Sequence, residues 1–291
     1  MKRYLLFIFL IFSTCFSFAQ NKNIDSLLTL LKTDKEDTNK VNHLNNLSNE
    51  YRLIGEYQKG LTYGKQALVL AQNVGFKKGI ANSYSRIGII YTIQGNYPEA
   101  LKTHFVTLKI REEIGDKKGM ASSYNNIGLI YKNQGDYLEA LKNHFAALKI
   151  REEIKDKYGI AASEINIGII YRDQGNYPEA LKNYSASLKI FEELKDKWGI
   201  AASFDNIGII YNEQGNYPEA LKNYSAALKI DEEIGDKNGI ASCFINLGGI
   251  NSFLNKTKEA QIYLNKALQP VTLSDLHSGN RCSITRFEYK R

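Results

Sequence analysis

Cysteine is nearly absent from this chain. There are three in 291 residues, Cys15, Cys243 and Cys282. No Cys-x2-Cys pair and no His-Glu-x2-His pattern occurs, so the sequence supports no metal centre. Long apolar runs are missing as well. The nine apolar residues Tyr4–Phe12 are too few to span a bilayer, and nothing later approaches the ~20 that a spanning helix needs. A run of basic charge is also lacking. The formal charge is +7, but Lys2 and Arg3 hold two of those charges and the last eleven residues a net three. The +2 that remains is spread over mixed acids and bases with no basic stripe among aromatics, which argues against nucleic acid as a partner. No serine or cysteine stands in a recognisable nucleophile context, and no glycine-rich phosphate loop follows a strand. Neither catalysis nor a cofactor is expected.

What the chain does have is repetition. Residues 159–198 and 199–238 are the same letter at thirty-one of forty positions. Self-similarity at a fixed period marks a repeat architecture. Inside a unit the apolar residues fall at helical spacing. Ile200, Phe204, Ile207 and Tyr211 form one stripe, and Ala220, Tyr224, Ala227 and Ile230 form a second. Between them lies Gln214-Gly215-Asn216-Tyr217-Pro218-Glu219. Gly215 suits the left-handed residue that ends a helix. Asn216 and Glu219 stand in capping-box register, and Pro218 falls in a first turn, where its missing N–H is tolerated. Each unit is therefore read as helix, tight turn, helix, with Asp236 capping the helix that follows.

Small residues set the expected packing. Gly208 interrupts the first helix, where glycine costs roughly 1 kcal/mol against alanine. Close approach accounts for it, with Ala220 of the second helix expected against the glycine and Tyr211 and Tyr224 filling the space beside. The glycine recurs as Gly88, Gly128, Gly168 and Gly248, with Ser48 in the first unit. The alanine recurs as Ala100, Ala140, Ala180 and Ala260, with Gly60 in the first unit. His104 and His144 align at the 40-residue period with Tyr184 and Tyr224, so they are read as packing residues of the inter-helix seam rather than as ligands.

The series Phe204, Ile207, Gly208, Tyr211, Ala220, Tyr224, Ala227 resembles the tetratricopeptide repeat. The 40-residue period makes it most similar to the long repeats of kinesin light chain and the peptide-binding spindle-orientation scaffolds. The resemblance implies an all-α fold, a right-handed solenoid of stacked antiparallel helix pairs. Six units are expected, at 39–78, 79–118, 119–158, 159–198, 199–238 and 239–269, the last atypical in carrying Asn251, Asn255 and Thr257. A capping helix and connector precede them at 20–38, with Ile24, Leu27, Leu28 and Leu31 on one face. Residues 1–19 have the form of a secretory signal peptide, from the basic start through Tyr4–Phe12 to Ser17-Phe18-Ala19. Phe12-Ser13-Thr14 is a poor lipobox, which speaks against anchoring through Cys15. Residues 270–291 form a divergent basic tail that matches no unit. Periplasmic or secreted location follows as an expectation.

One polar column in the first helices has no evident packing task. It comprises Asn46, Arg86, Asn126, Asn166, Asn206 and Asn246. An amide offers both donor and acceptor and suits a peptide bond, and asparagine is a mediocre helix former. Two readings stay open: bonds between neighbouring units, or a ladder along a groove for an extended peptide. The resemblance implies the second, because asparagine at this position serves peptide binding in the long-repeat families. Farther along the same helices stand Lys132, Arg172, Asp173 and Glu213; the acids there with Asp205 make the later units more acidic, while Arg52 and Arg86 make the early ones more basic. The carboxylate clamp of chaperone-type tetratricopeptide domains is not expected, because Ile89, Leu129, Ile169 and Ile209 occupy the place of its asparagine. The expected function is an exported scaffold for a protein or extended peptide. The alternative is a sensory ectodomain of a signalling system, which the lack of a following membrane helix or kinase sets second.

Overall fold

The computed structural model describes residues 22–268, so the signal-peptide and tail expectations lie outside the described residues. Thirteen α-helices and no strands make up the described residues. They fall into two compact units divided after Gly115. The first holds α1 (Lys22–Leu31), α2 (Thr38–Leu53), α3 (Tyr57–Asn73), α4 (Lys77–Ile93) and α5 (Tyr97–Glu113). The second holds α6 (Lys117–Asn133), α7 (Tyr137–Glu153), α8 (Lys157–Asp173), α9 (Tyr177–Leu194), α10 (Lys197–Glu213), α11 (Tyr217–Ile234), α12 (Lys237–Phe253) and α13 (Thr257–Ala267). Within each unit every helix packs on the next, which is how a solenoid builds a core from neighbours alone. The short α1 lies on α2, burying Ile24, with Leu31 against Val41 and Leu44.

Local chemistry ends the helices where the sequence places the signals. At the turn between α10 and α11, Gly215 takes φ +73°. The Asn216 amide then donates to the Tyr211 carbonyl at 2.8 Å, and the Asn216 side chain accepts from the Glu219 amide at 3.5 Å. That closes one helix and caps the next within three residues. Asp236 likewise accepts from the amides of Asn238 and Gly239.

The turns between repeats use the same device, but Lys155 (φ +57°) and Lys195 (φ +53°) stand where Gly75, Gly115 and Gly235 stand elsewhere. A side chain in the left-handed region costs roughly 1–2 kcal/mol, partly offset by the entropy that a glycine adds to the unfolded chain. Lys195→Gly should therefore stabilise the chain by about 0.5–1 kcal/mol, measured as a higher denaturation midpoint in urea. A lower midpoint would show that the lysine side chain earns its place.

The seam between paired helices differs from the sequence expectation. The residue against Gly208 is Tyr224 rather than Ala220. A β-carbon built at Gly208 would sit 2.9 Å from the Tyr224 ring. Gly168 meets Tyr184 in the same way, Gly128 meets His144, Gly88 meets His104, and Gly248 meets Leu264. The glycine makes room for a ring laid across the helix backbone, while Ala180 and Ala220 are buried beside it. The small–small approach shows in the first repeat and again in the last, where a β-carbon on Gly248 would also lie 3.5 Å from the Ala260 carbonyl. In the first repeat a β-carbon on Gly60 would lie 3.1 Å from the Ser48 carbonyl, and the Ser48 hydroxyl donates to the Gly60 carbonyl at 2.7 Å. Gly64 stands in that repeat where the others carry a ring or Leu264.

Most charged helix ends are solvated and carry exposed pairs such as Lys157–Glu193 and Lys197–Glu233 that add little stability. Three residues at the ends of second helices depart from this, Arg111, Arg151 and Asp231, all buried. Arg151 is buried, its guanidinium donating to the Gly159 carbonyl at 3.0 Å and the Ser163 hydroxyl at 2.6 Å. Asp231, within the charged run Lys229–Lys237, is also buried, 3.8 Å from the Cys243 sulfur. All three occupy one position of the repeat, at the end of the second helix of a pair.

Candidate functional site

The polar column lies on the first helices of the pairs, α2, α4, α6, α8, α10 and α12. In the first unit Asn46 is exposed. Arg86 on α4 donates to the Asn49 side chain on α2 at 3.1 Å, and Arg52 donates to the same oxygen. In the second unit the Asn166 amide on α8 donates to Asn125 on α6 at 2.7 Å, and Asn246 on α12 donates to Asp205 on α10 at 3.2 Å. Asn126 is half-buried. Asn206 is buried and turns its NH2 onto the Ala202 carbonyl of its own helix at 2.9 Å.

The position just before the column explains the difference. It reads Asn125, Ile165, Asp205, Ile245 through the second unit. Asn125 and Asp205 offer an oxygen there, and Asn166 and Asn246 of the following repeats reach across to them. Asn206 faces the level of Ile165, finds no acceptor, and folds back. Aligning the chain at forty residues reveals this alternation. It goes unseen when the column itself is read alone.

The charged candidates come together one to two turns farther along. Asp173 takes the Arg172 guanidinium at 2.7 Å and the Lys132 ammonium at 3.5 Å, the latter arriving from the preceding repeat. All three side chains are shielded, with relative exposures of 17–21%. Burial pulls the Arg172 guanidinium down, but the Asp173 hydrogen bond together with the charges of Tyr184, Asp173 and Glu213 outweighs it and leaves the group above its usual range. Partial desolvation raises the Glu213 carboxyl above its ordinary value, with Arg172 opposing and Asp173 adding to the shift. Lys132, Arg172, Asp173 and Glu213 therefore form one electrostatic cluster spanning α6, α8 and α10.

Under this face runs the polar side of the seam. Tyr184 and Tyr224 are fully buried, and burial raises both phenols. His104 and His144 take the same place, and burial lowers them to about 4 and about 3, helped by Arg111 and by Arg151 with Lys132 respectively. Neutral imidazoles packed on glycine are seam residues, as their alignment with tyrosine indicates. Among the described residues no cluster of histidine, cysteine and carboxylate is arranged to hold a metal ion, and no helix is long and apolar enough to cross a membrane.

The chain matches the family model for the tetratricopeptide repeat over residues 40–113, 119–193 and 199–269. No curated protein matches it. The crystal structure of the apo form of RapI is 16% identical with a TM-score of 0.66, covering 94% of this chain and 99% of that one. A Rap protein complexed with Competence and Sporulation Factor is 18% identical with a TM-score of 0.65, covering 88% of this chain and 72% of that one. The nearly identical repeats of a putative kinesin light chain from Podosopora anserina are 15% identical with a TM-score of 0.56, covering 69% of this chain and 99% of that one. At these identities the likeness is one of fold.

Proposed function

The chain belongs to the tetratricopeptide-repeat family, and from that premise we propose that it is a non-enzymatic scaffold whose first-helix face binds an extended peptide or protein segment. The observation that carries this is the polar column itself. Amides and, in one repeat, an arginine recur at one helical position through successive first helices. A strip of donors and acceptors at repeat spacing suits an extended backbone. Asn166 and Asn246 keep a carbonyl oxygen beyond the hydrogen bond that each donates, so bonding between repeats and contact with a peptide are compatible. The Rap protein complexed with Competence and Sporulation Factor supports the reading as a case of this fold with a bound factor. We further read the chain as exported, from the leader-like composition of residues 1–19.

A peptide of about ten residues, selected from a random display library on the intact chain, tests the face directly, since an extended ligand of that length spans several repeats. On binding, amide hydrogen exchange should slow in α6, α8, α10 and α12 more than in α7, α9 and α11. Protection confined to the second helices would place the site elsewhere.

A further inference from the structure

The first repeat departs from the others on one side of its helix pair, and the departure opens a groove. A cleft of about 490 Å³ lies between α2 and α3, within the roughly 300–1,000 Å³ of small-molecule sites. No residue of the polar column lines it. On α3, Lys65, Val69 and Asn73 stand one turn apart along it, about 12 Å from first to last. Leu44 of α2 and Leu70 of α3 are buried and make the floor, while Val69 is 56% exposed. Glu36 and Lys40 pair with each other at the end where α2 begins and α3 finishes.

The repeat register shows why the groove lies here. Leu44 stands where Tyr84, Tyr124, Phe204 and Phe244 stand in other repeats, so a ring is exchanged for a smaller side chain. Val69 stands where Lys109, Lys149, Lys189 and Lys229 stand, so an exposed lysine is exchanged for an apolar group. In later repeats a lysine at the start of the first helix pairs with a glutamate at the end of the second, as Lys77 does with Glu113 and Lys157 with Glu193. Asp37 and Asn73 hold those two places in the first repeat, and Asp37 caps α2 instead. The tie across that end of the helix pair is therefore missing.

The charges in the groove favour an anion. Its lining holds two ammonium groups, Lys40 and Lys65, and one carboxylate, Glu36. Glu36 is engaged on Lys40, and Lys65 has no ion-pair partner among the described residues. One cation at the end of an apolar trough fits a single negative head carrying an aliphatic tail. We propose that the groove binds a medium-chain aliphatic carboxylate, with its head on Lys65 and its tail along Val69, Leu70 and Leu44 toward Asn73. This small-ligand site is separate from the peptide-binding face and does not depend on it.

Methyl-resolved NMR of the intact chain tests this, with sodium octanoate and octylammonium chloride as probes, each kept below its micelle-forming concentration. Octanoate should shift the methyls of Leu44, Val69 and Leu70 along a saturable curve and bind at least about fivefold more tightly than octylammonium. Lys65 is exposed and glutamate is a good helix former, so Lys65→Glu should leave the fold intact. That change should weaken octanoate by at least about fivefold and bring octylammonium level with it or ahead. Val69→Ser, which removes apolar wall but no charge, should weaken both probes alike. Equal binding of the two probes by the parent chain overturns the proposal, as does indifference to Lys65→Glu. So does the lack of a saturable shift, or a shift scattered over exposed apolar residues such as Phe105 and Ile262.

Discussion

Acidifying the folded chain from pH 7 to 4.5 should lower its melting temperature by about 10–20 °C, and replacing His104 and His144 with tyrosine should remove most of that drop. The cause lies in the seam. Both rings are buried against a glycine backbone, with pKa values lowered to about 4 and about 3. Neither nitrogen of His104, and not Nδ1 of His144, has a hydrogen-bond partner among the described residues to welcome a proton. The unfolded chain protonates its histidines near pH 6.5, whereas the folded chain resists. Stability is therefore complete above about pH 6.5 and is lost as pH falls toward the folded values, by roughly 2–3 kcal/mol per histidine at pH 4.5. Carboxylates that titrate in the same range add a background that the tyrosine variant retains. Tyrosine is the fitting replacement because Tyr184 and Tyr224 fill the same place over Gly168 and Gly208. Melts of the parent and the double variant at both pH values decide the matter. Equal acid sensitivity in the two proteins would show that the histidines are not what acid attacks.

Gly168→Val should cost roughly 1–3 kcal/mol, because it overpacks a seam that has no slack. Even the first carbon of the new side chain would sit 2.6 Å from the Tyr184 ring, which is fully buried and has nowhere to go. The helix itself gains a little from losing a glycine, so the loss must come from the ring. A double-mutant cycle isolates that cause. Tyr184→Ala removes the obstacle, and Gly168→Val on that background should cost far less than on the parent. Additive effects of the two changes in urea denaturation would mean that glycine and tyrosine do not meet.

The repeat, its turns and its caps are readable in the sequence because they are local. Gly215, Asn216 and Pro218 act on backbone groups a few residues away, and the structure uses them as their chemistry suggests, whereas the Glu219 carboxylate pairs with Lys222 rather than closing a capping box. The seam was half readable. Spacing showed that Gly208 requires close approach, but it does not say which residue of the facing helix reaches over, and the ring of Tyr224 does so instead of Ala220. Arg151 and Asp231 were hidden by their company, since each sits in a charged run and only its repeat position marks it as inward. For the candidate site, the column was visible but its partners were not. Whether an asparagine reaches across or folds back depends on a residue some forty positions earlier, as Asn125 and Ile165 show for Asn166 and Asn206.

The most direct measurement on peptide binding is a titration of the selected peptide into a chain carrying Asn126→Ala, Asn166→Ala and Asn206→Ala together, beside a thermal melt. Alanine favours the helix, and the change at Asn206 removes an unmade buried acceptor, while the change at Asn166 strands the Asn125 oxygen. These effects oppose, so the melting temperature should move little. Each lost amide–peptide bond is worth roughly 0.5–1.5 kcal/mol, so affinity should fall by about tenfold to several hundredfold. A variant that melts far below the parent yet binds the peptide at full affinity in its folded fraction would contradict the account, making the column a set of ties between repeats and nothing more.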